Sequence, residues 1–522
     1  MKSFPDIVET SAAELAVLLR SGELTVPGLV AACLERIRRM DGEGPRLHGV
    51  IETSDHAMSI ADSLERELRE GRDRGPLHGI PVMLKDNIAT ADGMENTAGS
   101  WALAGALPLH DAGLVPALRD AGAVILGKAN LSEWSNIRSP RSQGGWSGRG
   151  GQARNPYSLD RGVYGSSSGS AVVVAASYVP LAVGTETDGS IAYPASVNGV
   201  VGLKPTVGLV SRRGVIPIVH HQDSPGPIAR TVADAALLLT VLSSQPDQAD
   251  LEAQRGPVDT GKPHLPPRPD EAAAGIDYLA DLDPDSLQGA RLGVLRSACM
   301  YDSAAATVFD RALLALTTAG ATLIDPLEIP EYDWIAQNRA AQFGAYFTEA
   351  REGFVSYIEE FVAEDFPVRT MADVVEFNRA HSASEMAFFG QEFLEQIAEA
   401  PSSDQPEYAE TMVSFQRAAR TGLDRAFSEH RLDAIIAPTI GPAAVIDLVH
   451  GERYPGGAST ISAIAGYPIL TVNAGYFKGL PVGMSFTGLA WSEQRLLNLA
   501  HAFELRGPER RVPGYLDAIV KP

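Results

Sequence analysis

Residues 166–206 read "SSSGSAVVVAASYVPLAVGTETDGSIAYPASVNGVVGLKPT". The run from Ala171 to Gly184 is almost wholly small and aliphatic, the composition of a segment enclosed by protein. Two polar clusters bracket it, "GSSSGS" at 165–170 and "GTETDGS" at 184–190. Two acids, two threonines and a serine beside so apolar a run are costly to bury unless they have hydrogen-bond partners or a chemical task.

Outward from this segment, strand-like runs alternate with helical patterns. "IPVMLK" (80–85), "AVIL" (123–126), "RLGVL" (291–295), "DAIIAP" (433–438), "ILTVN" (469–473) and "PVGMSF" (481–486) read as strands, and 309–319 and 493–505 as helices. Near the N-terminus, "SAAE" (11–14) is a capping box for a helix that stops at Gly22. Val30, Cys33, Leu34 and Ile37 then follow at helical spacing. The alternation predicts an α/β layered fold around a largely buried sheet. A stretch rich in Pro, Asp and Glu runs from about Ser243 to Ser286, and the α/β pattern resumes directly after it at "RLGVL". We therefore read residues 1–522 as one domain with a surface excursion at about 243–286, rather than two domains and a linker.

The chain has 522 residues, with 65 acidic against 43 basic side chains and a net charge of −22. That balance disfavours nucleic acid or an anionic membrane as partner, since both need a basic face. Two cysteines, Cys33 and Cys299, are too few for a disulfide framework or a thiolate metal cluster. No metal-ligand spacing is present, and His220–His221 reads as a loop pair. The opening "MKSFPDIVET" has no apolar signal-peptide core, and the 171–184 run is too short to cross a bilayer. The expectation is a soluble, cytoplasmic protein, secretion being open if a leader precedes residue 1.

Two patterns imitate known chemistry, and a third is missing. "GAVILGKA" (122–129) matches the start of a phosphate-binding loop, but Ala129 stands where a magnesium-binding hydroxyl is needed and the residues between the glycines read as a strand. "GSSSG" (165–169) fits a nucleophile elbow with Ser167 at its centre, yet the preceding "NPYSLDRGVY" is turn-like where a strand is required. A Ser-x-x-Lys pair is absent, because none of the seven lysines has Ser or Thr three residues before it.

With seven lysines against 36 arginines, a lysine at the end of an apolar strand stands out. Lys85, in "HGIPVMLKDN", is either paired with Asp86 or another acid, or is a base that burial keeps neutral, a role closed to arginine.

Lys85 in "LHGIPVMLKDNI" (77–88), the 166–206 segment, and "GAVILGKANLSE" (122–133) together resemble the amidase signature family of amide hydrolases. "WSGRGGQARNPYSLDR", "VGLVSRRGVIPI", "AHSASEMAFFGQE" and "AGYPILTVNAGYFKGLPVGMSF" are similar to its peptide amidase branch, so the resemblance covers most of the chain. It implies one large, mixed, twisted sheet covered by helices on both faces. It implies Ser190 as nucleophile, Ser166 as bridging serine after a cis peptide bond, and Lys85 as base. It further implies an oxyanion hole from the backbone N–H groups of Thr187, Asp188, Gly189 and Ser190. Ser168 departs from the family pattern, which often has glycine there, and Asp188 replaces a glycine found in some relatives.

The chemistry is consistent with those roles. A serine hydroxyl needs a base to become a nucleophile; a neutral lysine can be that base, and one hydroxyl can relay a proton because it both donates and accepts. The expected activity is release of ammonia from C-terminally amidated peptides or amino acid amides through a seryl acyl-enzyme, with no cofactor and no metal. The alternative is hydrolysis of other small amides, anilides or esters. We expect loops near Ser135 and Thr439 to line a closed-ended substrate pocket, and the Asp188 carboxylate to repel anionic groups at its mouth. A non-catalytic role is disfavoured by the presence of all three residues. The glutaminase subunit of tRNA-dependent amidotransferases shares the motifs, but "AHSASEMAFFGQE" points away from it.

Overall fold

The computed structural model describes residues 7–245, 275–299 and 302–519. Residues 246–274, most of the expected excursion, lie outside the described residues.

Eleven strands form one mixed sheet. In chain order they are β1 (Val50–Thr53), β2 (Pro81–Lys85), β3 (Val124–Ala129), β4 (Leu181–Glu186), β5 (Val201–Lys204), β6 (Ser224–Ala229), β7 (Arg291–Val294), β8 (Thr322–Ile324), β9 (Ala434–Pro438), β10 (Ile469–Phe477) and β11 (Leu480–Thr487). Across the sheet the order is β1-β3-β2-β4-β6-β5-β10-β11-β9-β7-β8. β2 runs parallel to both β3 and β4, β7 runs parallel to β8 and β9, and the remaining pairs are antiparallel. Every residue of β2, β3, β4, β5, β6, β9 and β11 is buried. Successive strand residues point to opposite faces, so both faces of the sheet are covered, here by helices.

The sequence-predicted helices form at Ala12–Ser21, with the Ser11/Glu14 capping box in place, and at Val26–Ile37, Ser303–Thr318 and Glu493–Glu504. The apolar run after Ser166 divides into a helix, Ser168–Ala175, and strand β4. All eight residues of that helix are buried, because its layer is enclosed on every side. Gly169 allows this depth: a Cβ there would stand 2.4 Å from backbone atoms of Asn130 and Gly49. β6 is a central strand although it contains Pro225 and Pro227. β5 pairs only with its Ile228 and Ala229, so the half carrying the prolines has a neighbour on one side alone.

Within residues 162–210 every residue is buried except Thr187 and Asp188. The polar cluster after β4 therefore reaches the surface at two residues only.

Candidate active site

Lys85 is the last residue of β2, and Thr185 and Glu186 close β4. The two strands run parallel with Leu84 beside Val183, so they deliver their carboxyl ends to one edge of the sheet, where open α/β sheets place ligand sites. Two loops meet there, one entering the helix Ser168–Ala175 and one leaving β4. The amide of Ser167 donates to the carbonyl of Ser190 at 2.9 Å, which joins them. The Gly165–Ser166 peptide is cis.

Lys85 is fully buried. Its Nζ lies 2.6 Å from Ser166 Oγ, 2.9 Å from Thr185 Oγ1 and 3.2 Å from the Thr185 carbonyl. Burial pushes its pKa down to about 7, against the opposing pull of Asp223 and Glu186. A neutral amine has two N–H groups and one lone pair. Thr185 supplies two acceptors for the former, which leaves the lone pair for the Ser166 hydroxyl. Of the two readings open for Lys85, ion pairing with Asp86 is not the one observed: Asp86 accepts from Thr97 and Gly99 instead.

Ser190 is 8% exposed and lines a cavity of about 360 Å³. Thr187 and Asp188 line the same cavity, and among the described residues the amides of Thr187, Asp188 and Ser190 carry no hydrogen bond within the protein. Gly189 differs. It takes φ +83° to turn the loop, a Cβ there would stand 2.1 Å from the Tyr193 ring, and its amide is directed to the buried carboxylate of Glu186. Glu186 also accepts from Ile191 (2.8 Å) and Ala192 (2.9 Å). Gly189 thus shapes the loop, while the amides of Thr187, Asp188 and Ser190 are the ones in it without a protein partner among the described residues.

Several expectations need correction. The Asp188 carboxylate is not a free anion at the mouth: Arg339 pairs with it at 2.8 Å and Thr460 donates to it at 3.0 Å. Thr439 does not line the cavity. It is fully buried at the end of β9, with Oγ1 2.6 Å from Thr471 Oγ1 and 2.7 Å from Ser485 Oγ, because the neighbouring strands offer it hydroxyl partners. Ser135 does line the cavity. Ser135, Thr187 and Ile218 also border a second cavity of about 680 Å³. Ser167 is no exposed nucleophile, since its hydroxyl is tied to both the carbonyl and the amide of Thr185. Ser168 is accommodated by donating to the Tyr164 carbonyl at 2.6 Å. Lys128, in the false phosphate loop, is buried in β3 and donates to the Ile88 carbonyl.

The sequence reading missed Thr185, Arg339, Glu452 and the tyrosines of the wall. Thr185 stood in the quoted polar cluster and was legible there. Arg339 and Glu452 lie in segments without a motif, so nothing local marks them. His221 pairs with Glu349 at 3.1 Å on the wall of the larger cavity. Among the described residues no group of three or more His, Cys, Asp or Glu is placed to hold a metal ion. No helix among them is long and apolar enough to cross a membrane.

Two serines and a buried lysine of lowered pKa, gathered at the carboxyl ends of a mixed α/β sheet, are the makings of a serine hydrolase site that does without histidine. The comparisons narrow the class. A family model described as "Amidase" matches residues 28–497. A probable amidase of Arabidopsis thaliana is 40% identical over 98% of this chain and 92% of its own. The solved native peptide amidase of Stenotrophomonas maltophilia is 45% identical with a TM-score of 0.89, covering 98% of this chain and 100% of that one. A glutamyl-tRNA(Gln) amidotransferase subunit from Acidothermus cellulolyticus is 32% identical over 97% of this chain and 96% of its own. The chain belongs to the amidase signature family and is an amidase.

Proposed function

We propose that this amidase removes the terminal amide from C-terminally amidated peptides and amino acid amides, with Ser190 as nucleophile, Ser166 as proton relay and Lys85 as base. The observation that carries the reading is the 2.6 Å contact of Lys85 Nζ with Ser166 Oγ, beside Ser190 on the cavity wall. Ser190 Oγ attacks the amide carbon; its proton passes to Ser166 Oγ while the Ser166 proton passes to the neutral amine of Lys85. The oxyanion is met by the amides of Thr187, Asp188 and Ser190, a preorganised set of the kind that lowers such barriers most. Collapse of the intermediate breaks the C–N bond, and the proton returns through Ser166 to the departing nitrogen, which leaves as ammonia. Water then attacks the acyl-enzyme by the same relay and frees the carboxylic acid and Ser190.

Similarity over nearly the whole chain to a solved peptide amidase supports a peptide amide as substrate. A second reading, hydrolysis of N-substituted amides such as anilides, is favoured by the larger cavity that Thr187 also lines, since it offers space next to the loop.

Mass spectrometry of an amidated decapeptide tests the proposal. The expected product is the same peptide with –NH₂ replaced by –OH and one equivalent of ammonia. A ladder of shorter fragments means an endopeptidase and sinks it.

A further inference from the structure

Three charged side chains line the cavity in front of Ser190: Asp188, Arg339 and Glu452. The first two neutralise each other. Glu452 is left over, for among the described residues no Lys, Arg or His forms an ion pair with it. Its side-chain contacts are Gln143 Nε2 at 3.3 Å and the amide of Gly144. The carboxylate lies against Gly144, where a Cβ would stand 2.6 Å from Oε1, so that glycine is what makes room for it. Glu452 as a whole is half-buried, and the protein packed around its carboxyl without a counter-charge pushes that group up to about 8.

A half-buried acid with no cation of its own gains from a cation that arrives with the ligand and covers it. The rest of the wall favours the same visitor. Tyr164, Tyr193, Tyr346, Tyr454, Phe343 and Phe393 line the cavity. Aromatic faces attract ammonium groups most strongly where water is excluded. Arg339, the partner of Asp188, already lies over the Phe343 ring at 5.5 Å, so this wall holds a cation against an aromatic face within the protein itself.

We propose that Glu452 is the counter-charge for a primary ammonium group on the substrate, so that the enzyme prefers amides that carry one. This rests on the amide-hydrolase reading of Ser190 and extends it from the scissile group to the remainder of the substrate. The ammonium has two sources, the free N-terminus of a short amidated peptide or a lysine side chain. A cavity of about 360 Å³ suits a compact ligand of either kind.

The test measures kcat/KM by ammonia release for two substrate pairs. One is a dipeptide amide with a free or an acetylated N-terminus; the other is an acetylated dipeptide amide containing lysine or norleucine. Wild type is expected to favour the ammonium member of at least one pair by about tenfold or more, and Glu452→Gln to reduce that preference to about twofold, since truncating one partner of a buried charge pair is costly. The favoured pair identifies the source. Equal handling of both pairs, or a preference unchanged in Glu452→Gln, overturns the proposal. If Glu452→Gln does not fold, the wild-type comparison alone decides. Calorimetric binding of the same pairs to Ser190→Ala reads the subsite without turnover. No ammonia from any amide, together with tighter binding of the ammonium member, removes the hydrolase reading and keeps the subsite.

Discussion

Arg339, at the start of the helix Arg339–Phe361, holds the carboxylate of Asp188 at 2.8 Å across 151 residues of chain. Ser459 (2.5 Å) and Thr460 (3.0 Å) hold the same carboxylate, so the loop before Ser190 is clamped through its one acidic side chain. The amide of Asp188 is one of the three oxyanion donors in the proposed mechanism. Arg339→Ala is expected to lower kcat by about 10- to 100-fold while changing KM less, the signature of donors displaced by a fraction of an ångström. Arg339→Lys should recover only part, because an ammonium cannot reproduce the guanidinium fork that spans Asp188 and Thr460. A loss confined to KM would make Arg339 a substrate contact instead.

Ser190→Ala and Lys85→Ala are each expected to remove most of the amidase activity and leave circular dichroism unchanged. The double variant should be little worse than either single one, since residues that act as a unit are not additive. Residual turnover above about a tenth of wild type in either variant would refute the assigned roles.

Activity is expected to rise with pH through about 7 and level off on the alkaline side, as Lys85 becomes the neutral amine the relay needs. The same shift has a stability consequence. Lys85 sheds its proton at lower pH in the folded protein than in the unfolded chain, where its value is about 10.4. Between these values the unfolded state binds more protons, so wild type should gain stability with rising pH relative to Lys85→Met. Thermal melts of both proteins from pH 7 to 10 measure it, and parallel pH profiles would contradict a lowered value.

Thr439→Val is expected to cost stability and spare activity. Removing its hydroxyl leaves Thr471 and Ser485 short of a buried partner, a loss of about 1–3 kcal/mol. Urea unfolding should show the shift while kcat/KM stays within about twofold; a rise in KM at unchanged stability would return Thr439 to the substrate pocket.

Dialysis against EDTA is expected to leave ammonia release intact, in keeping with the lack of a ligand cluster among the described residues. Activity lost on dialysis and restored by zinc or magnesium would mean that the relay is not the whole mechanism.

Apolar runs that end in turn residues were enough to locate strands such as β2, β3, β9, β10 and β11 along the chain. Lys85 stood out locally as a lysine at the end of an apolar strand, with two roles open, whereas Ser166 and Ser190 were picked out by the resemblance of their segments to the amidase signature family. The helix Ser168–Ala175 could not be separated from β4. Both are buried on all sides, and a wholly apolar segment has no periodicity to tell the two apart. Nor was β6 visible, whose prolines read as loop until β5 is seen to stop short of them. Which polar side chains were already spoken for emerged only from the folded arrangement. Thr439 looked like a pocket residue and is closed off by hydroxyls on adjacent strands. Asp188 looked like a free charge and is matched by a residue far along the chain. A side chain's charge state and hydrogen bonding depend on what stands within a few ångströms of it, and for these residues the neighbours come from chain segments that carry no motif. That is why the residues proposed for the relay could be placed along the chain from their motifs, while the clamp on Asp188 and the unpaired carboxyl of Glu452 could not.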